Sequence, residues 1–480
     1  MIRTKIVATL GPATDAPGIL DAMIRAGLDV ARLNFSHDSV ERHRVRARLV
    51  RERAAALGAQ VGLIVDLQGP KIRIGQFRGG SVPLEAGARF VLDTSWPADA
   101  GTRERVAVTY AGLPGDVAPG DTLLLDDGRL SLRVDAVADT EVRCTVLEGG
   151  ELSGAKGLNR RGGGLSAPAL TEKDRADLVT AAALEADYVA VSFPRSAADL
   201  DEARALLRAA GGRGGIVAKL ERAEALEDLE SLIRAADAVM IARGDLGVEI
   251  GDAALPPVQK RTIGLCRRLN RAVIVATQMM ESMIESPLPT RAEVFDVANA
   301  VLDGTDAVMF SAETAVGKHP VAVIEAADRV CREAEKQRAA RVSHHRVDST
   351  FTRVDEAIAM AAMYAANHLG VRAIAALTES GATPLWMSRI NSGLPIYALS
   401  PHPGTLRRVT LYRGVHPVLF APAAASHRGV GRAAIEALIG LGAVSAGDLV
   451  IITRGDRDGV PGGTNALKIA RVGEPANPGE

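Results

Sequence analysis

Lys219 and Glu221 stand two residues apart at the end of an apolar run, GIVAKLE. A cation and an acid so close can hold a phosphate and a metal ion together. Polar groups of the same kinds follow other apolar runs. Arg32, Asn34, Ser36 and His37 follow one, and Asp66, Lys71 and Arg73 follow another. Arg243 with Asp245, Thr277 with Gln278, and Ser311 with Glu313 close three more. Lysine is scarce, with nine in the chain against 48 arginines, so Lys71 just past Gly-Pro stands out. Arginine and lysine suit phosphate oxygens, arginine bidentately. Glu221 and Asp245 suit one hard divalent cation, since Mg²⁺ takes one or two carboxylates and completes its shell with water and substrate oxygens. Cations and a metal around a phosphate are what phosphoryl transfer requires. Singly, each residue has an ordinary reading: a solvated lysine, a helix-capping Asn34 or Ser36, a surface His37, turn chemistry at SAET. The set informs because so many consecutive runs end this way.

Elements distant in sequence must bring these groups together. Short β-branched runs recur at 5–10, 30–35, 62–67, 188–193, 215–220, 238–243, 272–277 and 307–312. They are continuously apolar, as strands buried on both faces are. Helical stretches separate most of them. One covers 40–57 and stops at Gly58; another opens at Thr171 with TEKD, close to a capping box. Eight strands alternating with helices predict an α/β fold, a (β/α)8 TIM barrel whose reactive groups lie at the C-terminal strand ends. Residues 1–69 and 168–338 are assigned to it. Within 70–167, PGD, DDG and GG split short alternating runs, which predicts a small inserted β domain. Its exit, GLNRRGGGLSAP, suits a hinge. A basic, polar linker at 335–353 leads on. Residues 339–480 then predict a C-terminal α/β domain with an open sheet, and the tail GEPANPGE is expected to fray.

A net charge of -1 argues against bulk nucleic-acid or membrane partners. The three cysteines form neither a CxxC pair nor a zinc spacing, which suits buried thiols in a reducing compartment. The first residues lack the apolar stretch of a signal peptide, and no run approaches the roughly 18 apolar residues of a membrane helix. A cytoplasmic location is the expectation. Neither GxxxxGK[ST] nor a GxGxxG after a strand occurs, so no P-loop holds a nucleotide.

RTKIVATLGPAT at 3–14, ARLNFSH at 31–37, DLQGPKIRIG at 66–75, IVAKLER at 216–222 and VMIARGDLGVEI at 239–250 resemble pyruvate kinase. So does the long stretch ATQMMESMIESPLPTRAEVFDVANAVLDGTDAVMFSAETAVGKHP at 276–320. The likeness spans essentially the whole chain. TESGATPLWMSRINSGLPIYALS most resembles bacterial forms regulated by sugar phosphates or AMP.

The resemblance implies transfer of a phosphoryl group from phosphoenolpyruvate to ADP, giving pyruvate and ATP in the last step of glycolysis. Arg32 and Lys219 would contact the phosphate, with Lys219 stabilising the transferring group and the enolate. Glu221 and Asp245 would ligate Mg²⁺ or Mn²⁺. Thr277 and the amides of Gly244 and Asp245 would hold the substrate carboxylate. Thr277 and Ser311 would serve protonation of enolpyruvate. Arg73, Asn34 and His37 would face the nucleotide phosphates. The inserted domain would be a small β-barrel closing as a lid, and the assembly a homotetramer. Thr378, Ser380, Gly381 and Thr383 would form an effector loop, but Ala382 stands where a basic residue often follows, which leaves the effector open. Many members bind K⁺ with residues matching Asn34, Ser36, Asp66 and the carbonyl of Leu67, and carry Glu where this chain has Lys71. The ammonium of Lys71 would then replace K⁺. Two other readings compete. A Mg²⁺-dependent lyase acting through a pyruvate enolate needs neither an ADP site nor a lid. A non-catalytic binding protein has no use for an intact Lys219, Glu221, Asp245 and Thr277.

Overall fold

Strands that are apolar on both faces must be covered on both faces, which a ring of helices around a parallel barrel achieves. The computed structural model describes residues 2–337, 350–390, 392–422, 429–456 and 459–474. Its strands β1 (Lys5–Thr9), β2 (Val30–Asn34), β3 (Gly62–Asp66), β4 (Tyr188–Val191), β5 (Gly215–Leu220), β6 (Ala238–Ala242), β7 (Ala272–Ala276) and β8 (Ala307–Phe310) close into one parallel barrel. All eight expected strands are present. Most end one or two residues early, because the chain turns at the rim. Phe193, Thr277 and Gln278 take positive φ (54°, 69° and 54°), while Arg243 and Ala312 begin helices at once. The register pairs Asn34 with Asp66 and Asp66 with Ala190, so the polar ends of β2 and β3 stand level beside β4.

The helices carry the expected signals. Ser39 caps Val40–Ala56 by accepting from the Arg42 amide, and Thr171 with Asp174 forms a capping box on Glu172–Ala183. Thr290 and Glu293 do the same for Arg291–Asp303.

Between β3 and Glu172–Ala183 lies the inserted β structure, with its own core of Phe90, Leu92, Leu123, Leu132 and Val142. Its strands form a six-stranded sheet and a two-stranded sheet. Residues 72–75 run between the two edge strands of the larger sheet, Leu158–Arg160 and Arg105–Ala107. Arg73 bridges to Gly157 and Ile74 to Val108, which links the edges as the expected small β-barrel requires, and Phe77 bridges to Gly101. The exit stretch turns on Gly162, Gly163 and Gly164, all at positive φ. A Cβ on Gly163 would lie 2.6 Å from a Glu224 carboxylate oxygen, a flexible end that could move aside, so it is the φ of 80° that favours glycine there.

The C-terminal region is a five-stranded sheet in the order Val415–Leu419, Ile396–Ser400, Ala373–Leu377, Leu449–Gly455, Thr464–Arg471. The last strand runs antiparallel and was not anticipated; its mixed polar and apolar edge sequence carries no clear period. An apolar core runs from the barrel interior (Val7, Ile64, Val217) to Ile374, Met387 and Leu411, joining the two sheets. The Arg389–Asp306 ion pair, 1% exposed on each side, locks that junction. Residues 338–349 of the expected linker and 475–480 of the tail lie outside the described residues. Among the described residues no helix is long and apolar enough to cross a membrane, and the three cysteines are buried and unpaired.

Candidate active site

Three neighbouring strands build the centre of the rim. Asp66 ends β3, Ser192 follows β4, and Lys219 with Glu221 ends β5. The Lys219 ammonium lies 2.7 Å from Ser192 Oγ, 2.8 Å from Glu221 Oε1 and 3.2 Å from Asp66 Oδ1. Arg32, from β2, donates from Nε to Asp66 Oδ2 at 2.7 Å and from a terminal nitrogen to Thr9 Oγ1 at 2.9 Å. All of these side chains are buried.

Burial alone would make each charge costly, and the charges settle one another. Burial pushes Asp66 up, but Lys219 and Arg32 outweigh it and hold the carboxyl below its ordinary value. Burial would strip Lys219 of its proton; Asp66 and Glu221 more than restore it. Glu221 goes the other way. Burial raises it, Lys219 opposes the rise, and the Asp245 charge adds to it.

Asp245 enters from the first turn of Arg243–Ile250, which begins directly after β6. Its Oδ1 accepts from Lys71 Nζ at 3.0 Å, across 174 residues of sequence. Lys71 therefore faces Asp245, from the edge of the inserted domain. Among the oxygens of the expected K⁺ site, Asn34 Oδ1 accepts from the Ser36 amide at 3.1 Å. The Leu67 carbonyl accepts from Ser192 Oγ at 2.8 Å, and Asp66 is shared by Arg32 and Lys219.

Thr277 follows β7 at a φ of 69°, a strained value for a β-branched residue. Arg243 holds it there, donating to the Thr277 carbonyl at 2.7 Å and the Gln278 carbonyl at 3.2 Å while pairing with Asp296 at 2.7 Å. Thr277 Oγ1 accepts from the Gly244 amide at 2.8 Å, so β7 and the helix start after β6 are bound together. Ser311 follows β8, with its amide donating to Glu313 at 2.6 Å. Arg73 is half-buried on the inserted domain and donates to the Ala155 carbonyl at 3.0 Å. His37 is exposed at the start of the loop after β2.

The donor chemistry fits a divalent cation. Among the described residues no three His, Cys, Asp or Glu side chains gather at one point. Two carboxylates are what Mg²⁺ usually takes from a protein. Asp245 raises Glu221, so the two charges sense each other, and each carboxylate already faces an ammonium, Glu221 on Lys219 and Asp245 on Lys71. Positive charge is what the place demands.

Two contributors escaped the sequence reading, Ser192 and Thr9. Both follow or end barrel strands, β4 and β1, so the strand-end rule applied to all eight strands finds them. Asp296, which anchors Arg243, sits on a helix and gave no such signal.

Away from the rim, a cavity of about 520 Å³ opens beside the C-terminal sheet. Thr378, Ser380 and Thr383 line it, with Ala382, Phe420 and Arg454. Gly381, at a φ of 84°, donates its amide to Thr378 Oγ1 at 2.9 Å and so shapes the loop.

Comparison with known proteins agrees with this geometry. Residues 1–324 match the family described as "Pyruvate kinase, barrel domain", and residues 356–470 match "Pyruvate kinase, alpha/beta domain". The chain is 56% identical to pyruvate kinase II of Salmonella typhimurium over 98% of both sequences. It is 53% identical to a pyruvate kinase of Haemophilus influenzae, over 94% of this chain and 95% of that one. A solved structure of a pyruvate kinase from Cryptosporidium parvum superposes with a TM-score of 0.92 at 33% identity, covering 98% of this chain and 96% of that one. With a barrel rim of paired cations and carboxylates and both family regions matched along its length, the chain belongs to the pyruvate kinase family.

Proposed function

We propose that phosphoryl transfer from phosphoenolpyruvate to ADP runs on Arg32 and Lys219 at this rim, and that Lys71 makes the reaction independent of K⁺. The observation that carries the reading is Lys219, a buried ammonium kept charged by Asp66 and Glu221. A fixed cation in a dry site stabilises developing phosphoryl charge far more than one in water. A loose transition state asks for position and charge rather than covalent help.

The other roles follow from place. Glu221 and Asp245 would hold Mg²⁺ or Mn²⁺, which when bound supplies further charge neutralisation to the phosphoryl oxygens. Thr277, with the Gly244 and Asp245 amides at a helix start, suits the substrate carboxylate. Thr277 and Ser311 would position the proton delivered to enolpyruvate. Arg73, Asn34 and His37 would meet the nucleotide phosphates. The 70–167 domain would close over them and exclude water from a group that must not hydrolyse. Lys71 brings a positive charge to the rim 3.0 Å from Asp245, as part of the chain itself. The 339–480 region would be regulatory, its cavity taking a sugar phosphate or AMP through Thr378, Ser380, Gly381 and Thr383, in a homotetramer.

The test is pyruvate formation from phosphoenolpyruvate, ADP and Mg²⁺, with tetramethylammonium as the only monovalent cation and then with KCl added. Full activity without K⁺ is expected. Activity appearing only with K⁺ would remove the role given to Lys71. Consumption of phosphoenolpyruvate without ADP would favour a lyase.

A further inference from the structure

The Lys219 ammonium has three N–H donors, and three acceptors surround it: Ser192, Glu221 and Asp66. It can reach a phosphoryl oxygen only by giving one of them up. Glu221 is the acceptor with another claim on it, as a carboxylate placed to take a divalent cation. Asp66 is committed to Arg32 at 2.7 Å. Ser192 is committed too. Its hydroxyl donates to the Leu67 carbonyl at 2.8 Å, which leaves its lone pairs to receive Lys219.

The surroundings hold the serine in that orientation. Ser192 is 1% exposed, at the end of β4 between β3 and β5. The loop after β3 lies directly on it. A Cβ on Gly69 would sit 2.7 Å from Ser192 Cβ, so only glycine, here at a φ of 65°, lets the loop pack so close. The Gly69 amide is itself tied down, donating to Asp174 Oδ1 at 3.0 Å.

We propose that Ser192 is a positioning residue for phosphoryl transfer: its hydroxyl and Asp66 fix the Lys219 ammonium so that the donor released by Glu221 points at the transferring group. This rests on the reading that Lys219 acts on the phosphoryl group. Ser192 touches neither substrate nor metal in this scheme. It works by leaving Lys219 two anchors when the third is withdrawn.

The test is a double-mutant cycle of Ser192→Ala and Lys219→Met in the full chain, with turnover and Mg²⁺-phosphoenolpyruvate affinity measured on all four proteins. Affinity is read by calorimetry, so the cycle closes even where turnover is too slow to follow. Ser192→Ala should lower kcat at least tenfold and weaken phosphoenolpyruvate several-fold, with KM for ADP and the melting temperature near wild type. In the Lys219→Met background the same change should cost almost nothing. Ser192→Cys, which keeps the bulk and offers a weaker acceptor, should fall between wild type and Ser192→Ala and guards against a folding defect. An unchanged kcat in Ser192→Ala would overturn the proposal. So would an equal loss of affinity in both backgrounds, since Ser192 would then act through the Leu67–Gly69 loop and not through Lys219. A wild-type protein that forms no pyruvate would instead sink the functional reading itself.

Discussion

Replacing Asp66 by Asn removes one charge and almost no volume, and it should cost more than any other isosteric change at the rim. Asp66 lies 2.7 Å from Arg32 Nε and 3.2 Å from Lys219 Nζ. At an effective dielectric of about 20, one such contact amounts to roughly 5 kcal/mol before desolvation is charged against it. Desolvation of the carboxylate takes back part of this, yet the two cations prevail, since Asp66 is held below its ordinary value despite full burial. Breaking a buried pair by deleting one partner costs about 3–5 kcal/mol, because the remaining charge is left unpaired. Here Arg32 loses its carboxylate partner, while Lys219 keeps Glu221 and Ser192. Against a total stability of about 5–15 kcal/mol that is a large fraction. Asp66→Asn should therefore lower the melting temperature by on the order of 10 °C. Turnover should fall about 100-fold or more, because Lys219 would lean onto Glu221 and compete with the metal. The pH dependence has a definite sign. A carboxyl depressed on folding adds stability above its unfolded value, near 3.8, and loses it as pH falls through the lower folded value. The gap between wild type and Asp66→Asn should be constant at neutral pH and close only in strong acid. A variant that melts within about 2 °C of wild type and keeps its turnover would refute the ledger of charges around Lys219.

Lys71→Glu should convert the enzyme to K⁺ dependence: little pyruvate in tetramethylammonium buffer, with recovery on adding KCl, read in a coupled assay across a KCl titration. Arg243→Lys keeps the charge but loses the forked hold on the Thr277 and Gln278 carbonyls. Release of the strained turn should raise KM for phosphoenolpyruvate and lower kcat by about tenfold, some 1.4 kcal/mol. Burial pushes Glu249 up to about 7, against the amide of Ala223 and the side chain of Asn159, with Glu224 adding to the rise and Arg222 opposing it. A carboxyl raised on folding contributes stability that is complete below its unfolded value near 4.5 and is lost as pH climbs through 7. Glu249→Gln should flatten the stability profile between those limits, so that urea midpoints at pH 5 and pH 8 differ less than in wild type.

Much of this was legible locally. Buried parallel strands announce themselves as unbroken apolar runs, and the end of each run marks the rim. Lys219 and Glu221, Arg32, Asp66, Asp245 and Thr277 could be placed on one surface by that rule alone. How the edges of the inserted sheet are joined was not legible, because the isolated bridges at Arg73 and Ile74 leave no periodic trace. Nor was the strain at Thr277. A positive φ signals itself in sequence through glycine or asparagine, and here a threonine is forced into it by Arg243, from a neighbouring strand's end.

The deepest gap concerns partners. Lys71 and Asp245 meet across 174 residues, and no window of sequence contains both. Ser192 looks like any serine after a strand until β3, β4 and β5 lie side by side. Then it becomes one of three acceptors on a single ammonium, and the one that is neither a carboxylate nor paired with a guanidinium. Residue types at strand ends state which charges are available. Ring closure decides which of them must share an ammonium, and that sharing leaves Lys219 charged and buried, with each of its three donors facing an acceptor.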